Sequence, residues 1–130
     1  VVANQDDGVE CFGGNVNIEN VLIWGVGDDC LDVDQGYSGT INNSLIIPLP
    51  FTDHVLEIDG GEGIWNADFS ITNCESISEL SQAHFRAEAS GYVSLLGNFN
   101  IETDPGTNVQ IDSLSTGADY SKFNWTYYFN

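Results

Sequence analysis

The chain has 130 residues, with 20 Asp plus Glu against 2 Lys plus Arg and a formal net charge of -18. That length suits one domain, and the charge argues against a nucleic-acid binder, which needs cations to displace counterions from phosphates, and against docking on an anionic membrane surface. Hydrophobic residues make up 42%, including 3 Trp, 5 Tyr and 7 Phe, enough to build a core despite the charge. No apolar run reaches the roughly 18 residues that suggest a bilayer span, so membrane insertion is not expected. The sequence has no Met and opens on Val1-Val2-Ala3-Asn4 without a signal-peptide pattern, as expected of a mature or excised piece of a longer chain. Three cysteines (Cys11, Cys30, Cys74) with no CxxC indicate neither a zinc site nor a disulfide framework, and are read as small buried hydrophobes.

In chain order, a short unit returns. Asp6-Asp7-Gly8-Val9-Glu10-Cys11-Phe12-Gly13 is echoed by Asp28-Asp29-Cys30-Leu31-Asp32-Val33-Asp34-Gln35, then by Asp53-His54-Val55-Leu56-Glu57-Ile58-Asp59-Gly60. A weaker fourth copy runs Ala83-His84-Phe85-Arg86-Ala87-Glu88-Ala89. Its anchors Val9, Leu31, Leu56 and Phe85 are 22, 25 and 29 residues apart. Between the copies lie second β-rich segments: Val16–Ile23, Thr40–Ile47, Ala67–Thr72 and Tyr92–Ile101, bounded by turn residues. Units of this length with short strands and no helical period predict an all-β chain, a right-handed parallel β-helix (β-solenoid) of about four coils. The coils fall near 1–27, 28–51, 52–81 and 82–112, with a C-terminal closure over 113–130. A β-sandwich is the rival; it predicts similar strands but not the register repeat.

Alternation within each strand sets two faces. Val9 and Cys11, Leu31 and Val33, Leu56 and Ile58, Phe85 and Ala87 point inward. Glu10, Asp32, Glu57 and Arg86 then form one outward column, and Phe12, Asp34, Asp59 and Glu88 the next. Carboxylates stacked ~4.8 Å apart repel by just under ~1 kcal/mol in water and several-fold more at an effective dielectric near 20. Solvent, a cation or Arg86 must relieve them, and Arg86 is read as a buttress ending its column. Asn20 and Asn43, at equivalent places, predict an inward ladder of amides.

The phrases Val2-Ala3-Asn4-Gln5-Asp6-Asp7-Gly8-Val9-Glu10-Cys11-Phe12-Gly13-Gly14, Gly27-Asp28-Asp29, Asp34-Gln35-Gly36-Tyr37-Ser38-Gly39-Thr40, Thr52 to Gly60 and Gly117 to Thr126 resemble a group of right-handed parallel β-helix (pectin-lyase-like) proteins, large secreted or cell-surface proteins of Bacteroidota. The resemblance implies a secreted or outer-surface location, export by the type IX system, and the C-terminal part of a longer β-helix. It implies no established activity. More chain or another subunit is then expected to cover the N-terminal coil.

Two chemistries are candidates. Polygalacturonases, also β-helical, read Asn-Thr-Asp, Asp-Asp, Gly-His-Gly, Arg-x-Lys. Asn4-Gln5-Asp6, Asp28-Asp29, His54 and Arg86 fall in that order, and the likeness would imply Asp6, Asp28 and Asp29 as the catalytic carboxylates of an inverting glycoside hydrolase; the rival and favoured explanation is shared coil geometry. His54 lacks both flanking glycines, and Glu88 stands at the lysine position. The second candidate is calcium, a hard cation that takes six to eight oxygens. Asp6, Asp7, Asp28, Asp29 and Asp53 share a corner of successive coils, beside Asp32, Asp34 and Asp59; all of these but Asp53 form the candidate ligand set. The run from Asp32 to Gly36 begins like an EF-hand but has Asn43 where a bidentate Glu is required. The rival to a metal site is a solvated acidic face that keeps the protein soluble.

Other signals are weaker. Trp24, Trp65, Trp125, Tyr37, Tyr92, Tyr127 and Tyr128 offer surfaces for sugars or, more simply, packing. His54 and His84 are read as turn residues bonded to backbone. Ser44–Phe51 is a strand running into an exposed, Pro-broken contact patch. The first expectation is a non-enzymatic extracellular or cell-surface module, structural, adhesive or glycan-binding, with calcium on its acidic face and a polysaccharide or surface protein as partner. The alternative is the polysaccharide hydrolase.

Overall fold

The computed structural model describes residues 1–60, 69–77, 83–97, 99–112 and 115–123. Among them, β1 (Val9–Phe12), β3 (Leu31–Asp34), β5 (Leu56–Ile58), β7 (Ala83–Ala87) and β9 (Phe99–Thr103) form one parallel sheet in that order. The strands β2 (Ile18–Trp24), β4 (Thr40–Ile47), β6 (Phe69–Ser76), β8 (Gly91–Leu96) and β10 (Val109–Asp112) form the second. Odd strands on one face and even strands on the other mean that the chain winds from sheet to sheet, one rung per turn. This is a parallel β-helix.

The register follows the apolar alternation. Val9 lies opposite Leu31, Leu31 opposite Leu56, and Leu56 opposite Phe85. A slip of one residue would turn every one of these side chains to the other face, so burying the apolar file holds the rungs in step. Between the sheets, Ile23, Leu31, Ile41, Leu56, Phe69, Ile71, Phe85 and Val93 close the core. Phe69 and Phe85 meet edge-to-face, with centroids 6.5 Å apart. Cys30 and Cys74 are free and fully buried there, while Cys11, on the first rung, is half-buried.

Three features differ from expectation. First, each sheet has five rungs among the described residues, not four: residues 82–112 hold β7 to β10, and Ile101 sits opposite Phe85 in the first sheet. The expected segment Tyr92–Ile101 is two strands of different sheets. Second, the asparagine ladder does not point inward. Asn20, Asn43 and Asn73 each take a positive φ (59°, 60° and 52°), a conformation Asn tolerates better than most residues. Each bends its strand and resets the alternation, so Ile41 and Ile46 both reach the core. The Asn43 amide donates to Asn20 Oδ1 at 2.8 Å, while Asn73 donates to Asn42 Oδ1. Third, Asn43 is buried from outside, by residues 115–123. Its Oδ1 accepts from Asp119 N at 2.5 Å, and Phe123 covers Leu22 and Leu45. A single 3₁₀ turn (Tyr120–Lys122), capped by the Asp119 carboxylate, ends this arm. The arm is the described part of the expected closure.

Candidate functional site

The first three rungs of the first sheet are each entered through a short acidic loop: Asp6-Asp7 before β1, Asp28-Asp29 before β3, Asp53-His54 before β5. The register of the strands stacks these loops, and each is bonded to the next. Asp29 N donates to Asp7 Oδ1 at 3.0 Å, and His54 N donates to Asp29 Oδ1 at 2.8 Å. The His54 ring follows, with Nδ1 2.9 Å from Asp29 Oδ1 and 3.6 Å from Glu57 Oε1. The tautomer with its proton on Nδ1 lets the His54 ring donate to Asp29. Thus His54 bonds a side chain rather than backbone, and His84, expected in a turn, lies in β7 with its ring edge-on to His54.

The adjoining strands carry the outward column in register: Glu10, Asp32, Glu57, Arg86, Glu102. Arg86 therefore does not end the column, and its guanidinium donates to Glu88. The acids on the rungs before it are left to one another. Asp32 is only 8% exposed although it points outward. The rungs on both sides and the stacked loops enclose it, and its Oδ1 has no hydrogen-bond partner.

Four groups of side chains each place one ligand atom per residue within 4.8 Å of the others: Asp6, Asp7 and Asp28; Asp7, Asp29 and Asp32; Glu10, Asp32 and Asp34; Asp29, Asp53 and His54. Six of the seven sequence-derived metal candidates meet in these groups. Asp59 joins none of them among the described residues; it lies on the rung beside Arg86 and Glu88 and adds its charge to theirs. Of the three catalytic candidates, Asp6 and Asp28 share one group and Asp29 falls in the next. The sequence-derived ligand set lacks three members, Glu10, Asp53 and His54. The repeat signalled Glu10, one rung from Asp32, but nothing local ties His54 to Asp29.

The electrostatics follow from this crowding. Burial first, then Asp34, Asp7, Asp29 and Glu10, pushes the Asp32 carboxyl up to about 7. Burial, a hydrogen bond with Asp29 and the charges of Asp29, Asp59 and Asp32 push Glu57 up to about 8. Asp7 and Asp28 are also raised, each mainly by burial. Such a site favours whatever brings positive charge, whether a proton or a metal ion.

A family model described as a pectate-lyase-like beta-helix domain matches residues 1–117. The chain belongs to this family. Comparison with curated proteins and with solved structures finds no match. Membership in the pectate-lyase-like family agrees with the winding and register seen here; fold alone assigns no activity.

The aromatic candidates separate. Tyr37 is buried and donates its hydroxyl to Val16 O at 2.7 Å, which makes it a core residue. Tyr92 is exposed. Trp65, Trp125, Tyr127 and Tyr128 lie outside the described residues. In the expected contact patch, β4 ends at Ile47 and Phe51 is 65% exposed. The EF-hand-like run falls in β3 and the turn after it, a strand and not an ion-binding loop.

Proposed function

We propose that this β-helix is a non-enzymatic extracellular or cell-surface scaffold whose acidic corner holds calcium. Asp7, Asp29 and Asp32 form the first ligand set, flanked by Asp6 with Asp28 and by Glu10 with Asp34. Asp32 carries the reading. A carboxylate that is 8% exposed with an orphan oxygen has no role on a merely solvated face, because solubility needs charges in water. Calcium–oxygen bonds of about 2.3–2.6 Å put opposite ligands roughly 5 Å apart, matching ligand atoms within 4.8 Å of one another. The all-oxygen sets disfavour zinc, which prefers nitrogen and sulfur. The number of carboxylates gathered at the corner suits calcium, which takes six to eight oxygens, better than magnesium, which keeps several waters and binds through one or two carboxylates. The resemblance to exported surface proteins supports the location, and the exposed polar faces support a polysaccharide or surface-protein partner. Further chain or a subunit over the β1–β2 edge completes the picture, since open edges invite pairing.

A second reading, polysaccharide hydrolysis by Asp6, Asp28 and Asp29, has in its favour that Asp6 and Asp28 meet. Their approach within 4.8 Å is closer than the separation of about 6.5–9.5 Å that admits water in inverting hydrolysis. Calorimetric titration of chelator-treated protein with calcium tests the first reading. Binding with a matching rise in melting temperature, lost in Asp32→Asn, is expected. A parent protein that neither binds nor shifts at millimolar calcium overturns it. Cleavage of polygalacturonate abolished by Asp28→Asn would instead favour the hydrolase.

A further inference from the structure

We propose that the outer face of β6, β8 and β10 binds a neutral polysaccharide, with Tyr92 as the platform for a sugar ring and Ser70, Asn108 and Gln110 as its hydrogen-bonding rim. This rests on the polysaccharide part of the reading above and gives it a place, on the opposite sheet from the acidic corner. Tyr92 is 38% exposed, in a strand whose inward neighbours Val93 and Leu95 are core. The register puts Ser70 on one side of it and Gln110 on the other, so the three side chains stand in one row at rung spacing, ~4.8 Å apart. With Phe69, Ser90, Gly91 and Asn108 they line a groove of about 360 Å³.

The groove is built rather than incidental. Gly91 lets β8 lie close against β6 at the groove's end, since a Cβ there would stand 2.6 Å from the Phe69 ring and carbonyl. The Tyr92 hydroxyl donates to Asp112 Oδ2 at 3.4 Å, which orients the ring. Ser90 Oγ accepts from Asn108 N at 2.9 Å and holds the rim. The Ser70 hydroxyl and the Asn108 and Gln110 amides make no hydrogen bond to another described residue, so they are free to serve a ligand.

A pyranose presents an apolar C–H face and a rim of hydroxyls that donate and accept. An aromatic face beside amides and a hydroxyl complements both. The lining contains no Lys or Arg, Asp112 stands alongside, and the chain carries a net charge of -18. A polyanion is repelled from such a surface, which leaves an uncharged glycan.

Affinity electrophoresis and calorimetry with hydroxyethyl cellulose, galactomannan and polygalacturonate provide the test. The parent is expected to bind at least one of the two neutral polymers and not polygalacturonate. Tyr92→Ala should weaken binding about tenfold, the upper end of what one aromatic contact supplies. Tyr92→Phe, which keeps the ring, should bind within about twofold, and circular dichroism of each variant should match the parent. Neutral-polymer binding undiminished in a folded Tyr92→Ala protein overturns this site and leaves the polysaccharide reading standing. A parent that binds neither neutral polymer overturns both. Preference for polygalacturonate overturns the assignment of a neutral ligand.

Discussion

Replacing Asp32 by Asn should stabilise the metal-free protein at pH 8, although it removes a buried side chain's charge from the centre of the site. The folded-state carboxyl is raised from 3.8 to about 7, by burial first and then by Asp34, Asp7, Asp29 and Glu10. A carboxyl raised in the folded state binds its proton more tightly there than in the unfolded chain. Its contribution to stability is therefore fully present below the unfolded value of 3.8 and is lost as pH rises through about 7. At 1.36 kcal/mol per pH unit, the difference sets an upper limit of about 4 kcal/mol above pH 7. Water and salt at the rim of the corner screen the neighbouring charges and reduce the expected gain to about 1–2 kcal/mol.

Asparagine keeps the shape and discards the charge, so the gain should appear at pH 8 and shrink to about a third of that at pH 5, where most of the parent's Asp32 is already protonated. Urea unfolding of parent and variant at both pH values, in EDTA, measures it. An Asp32→Asn protein less stable than the parent at pH 8 would refute the reasoning, because it would mean that the carboxylate has an attractive partner without metal. Calcium should reverse the order: ligand at a hundred times its dissociation constant adds about 2.7 kcal/mol to the parent and little to the variant.

Asn43→Ala should cost about 2–3 kcal/mol by urea unfolding, combining a left-handed backbone at φ 60° with the loss of bonds to Asn20 and Asp119. Asn43→Gly should recover the backbone part, and equal losses in the two variants would contradict that division. Gly39→Ala should unfold the protein or lower its melting temperature strongly, because a Cβ there runs into the Val16 carbonyl and the Tyr37 hydroxyl; a calorimetric melting temperature unchanged from the parent would count against it. Burial, then the Cys11 charge, pushes Tyr37 up to about 12 from 10.0. The Tyr37 share of stability should thus hold below pH 10 and fall by about 2 kcal/mol as pH rises to 12, on top of the decline that buried Cys30 and Cys74, raised from 9.0 to about 12, begin near pH 9. Tyr37→Phe should remove that share, and denaturation midpoints that fall equally in parent and variant between pH 10 and 12 would exclude it.

The sequence announces the register of the first four rungs because Val9, Leu31, Leu56 and Phe85 are each flanked by alternating apolar and polar residues. Only one face of such a strand can be buried. The fifth rung was hidden because Leu96, ending β8, and Phe99, opening β9, are so close in the chain that two strands read as one. The direction of the asparagine ladder was hidden for another reason. The cover over Asn43 comes from Asp119, 76 residues away, and no local pattern carries that contact. The same holds for His54 and Asp29, which are 25 residues apart. Asp32 is the sharpest case. Alternation correctly turns it outward, and outward reads as exposed until the neighbouring rungs and loops are in place around it.

Parallel stacking without offset explains why the corner is so highly charged. A register that puts Leu56 over Leu31 also puts Glu57 over Asp32 and Asp32 over Glu10, so the force that builds the core sets like charges in file. An antiparallel pairing or a staggered one allows a cation from the next strand to intervene; here the only Arg of the sequence stands between Glu57 and Glu102, two rungs from Asp32, and pairs with Glu88. Repulsion along such a file amounts to several kcal/mol at an effective dielectric near 20, and exposure is the ordinary remedy. At Asp32 the fold takes that remedy away. An acidic face kept for solubility alone would gain from a Ser or Asn at position 32 and lose nothing. Keeping a carboxylate there makes physical sense when positive charge arrives from solution to meet it, with Asp7 and Asp29 already held beside it.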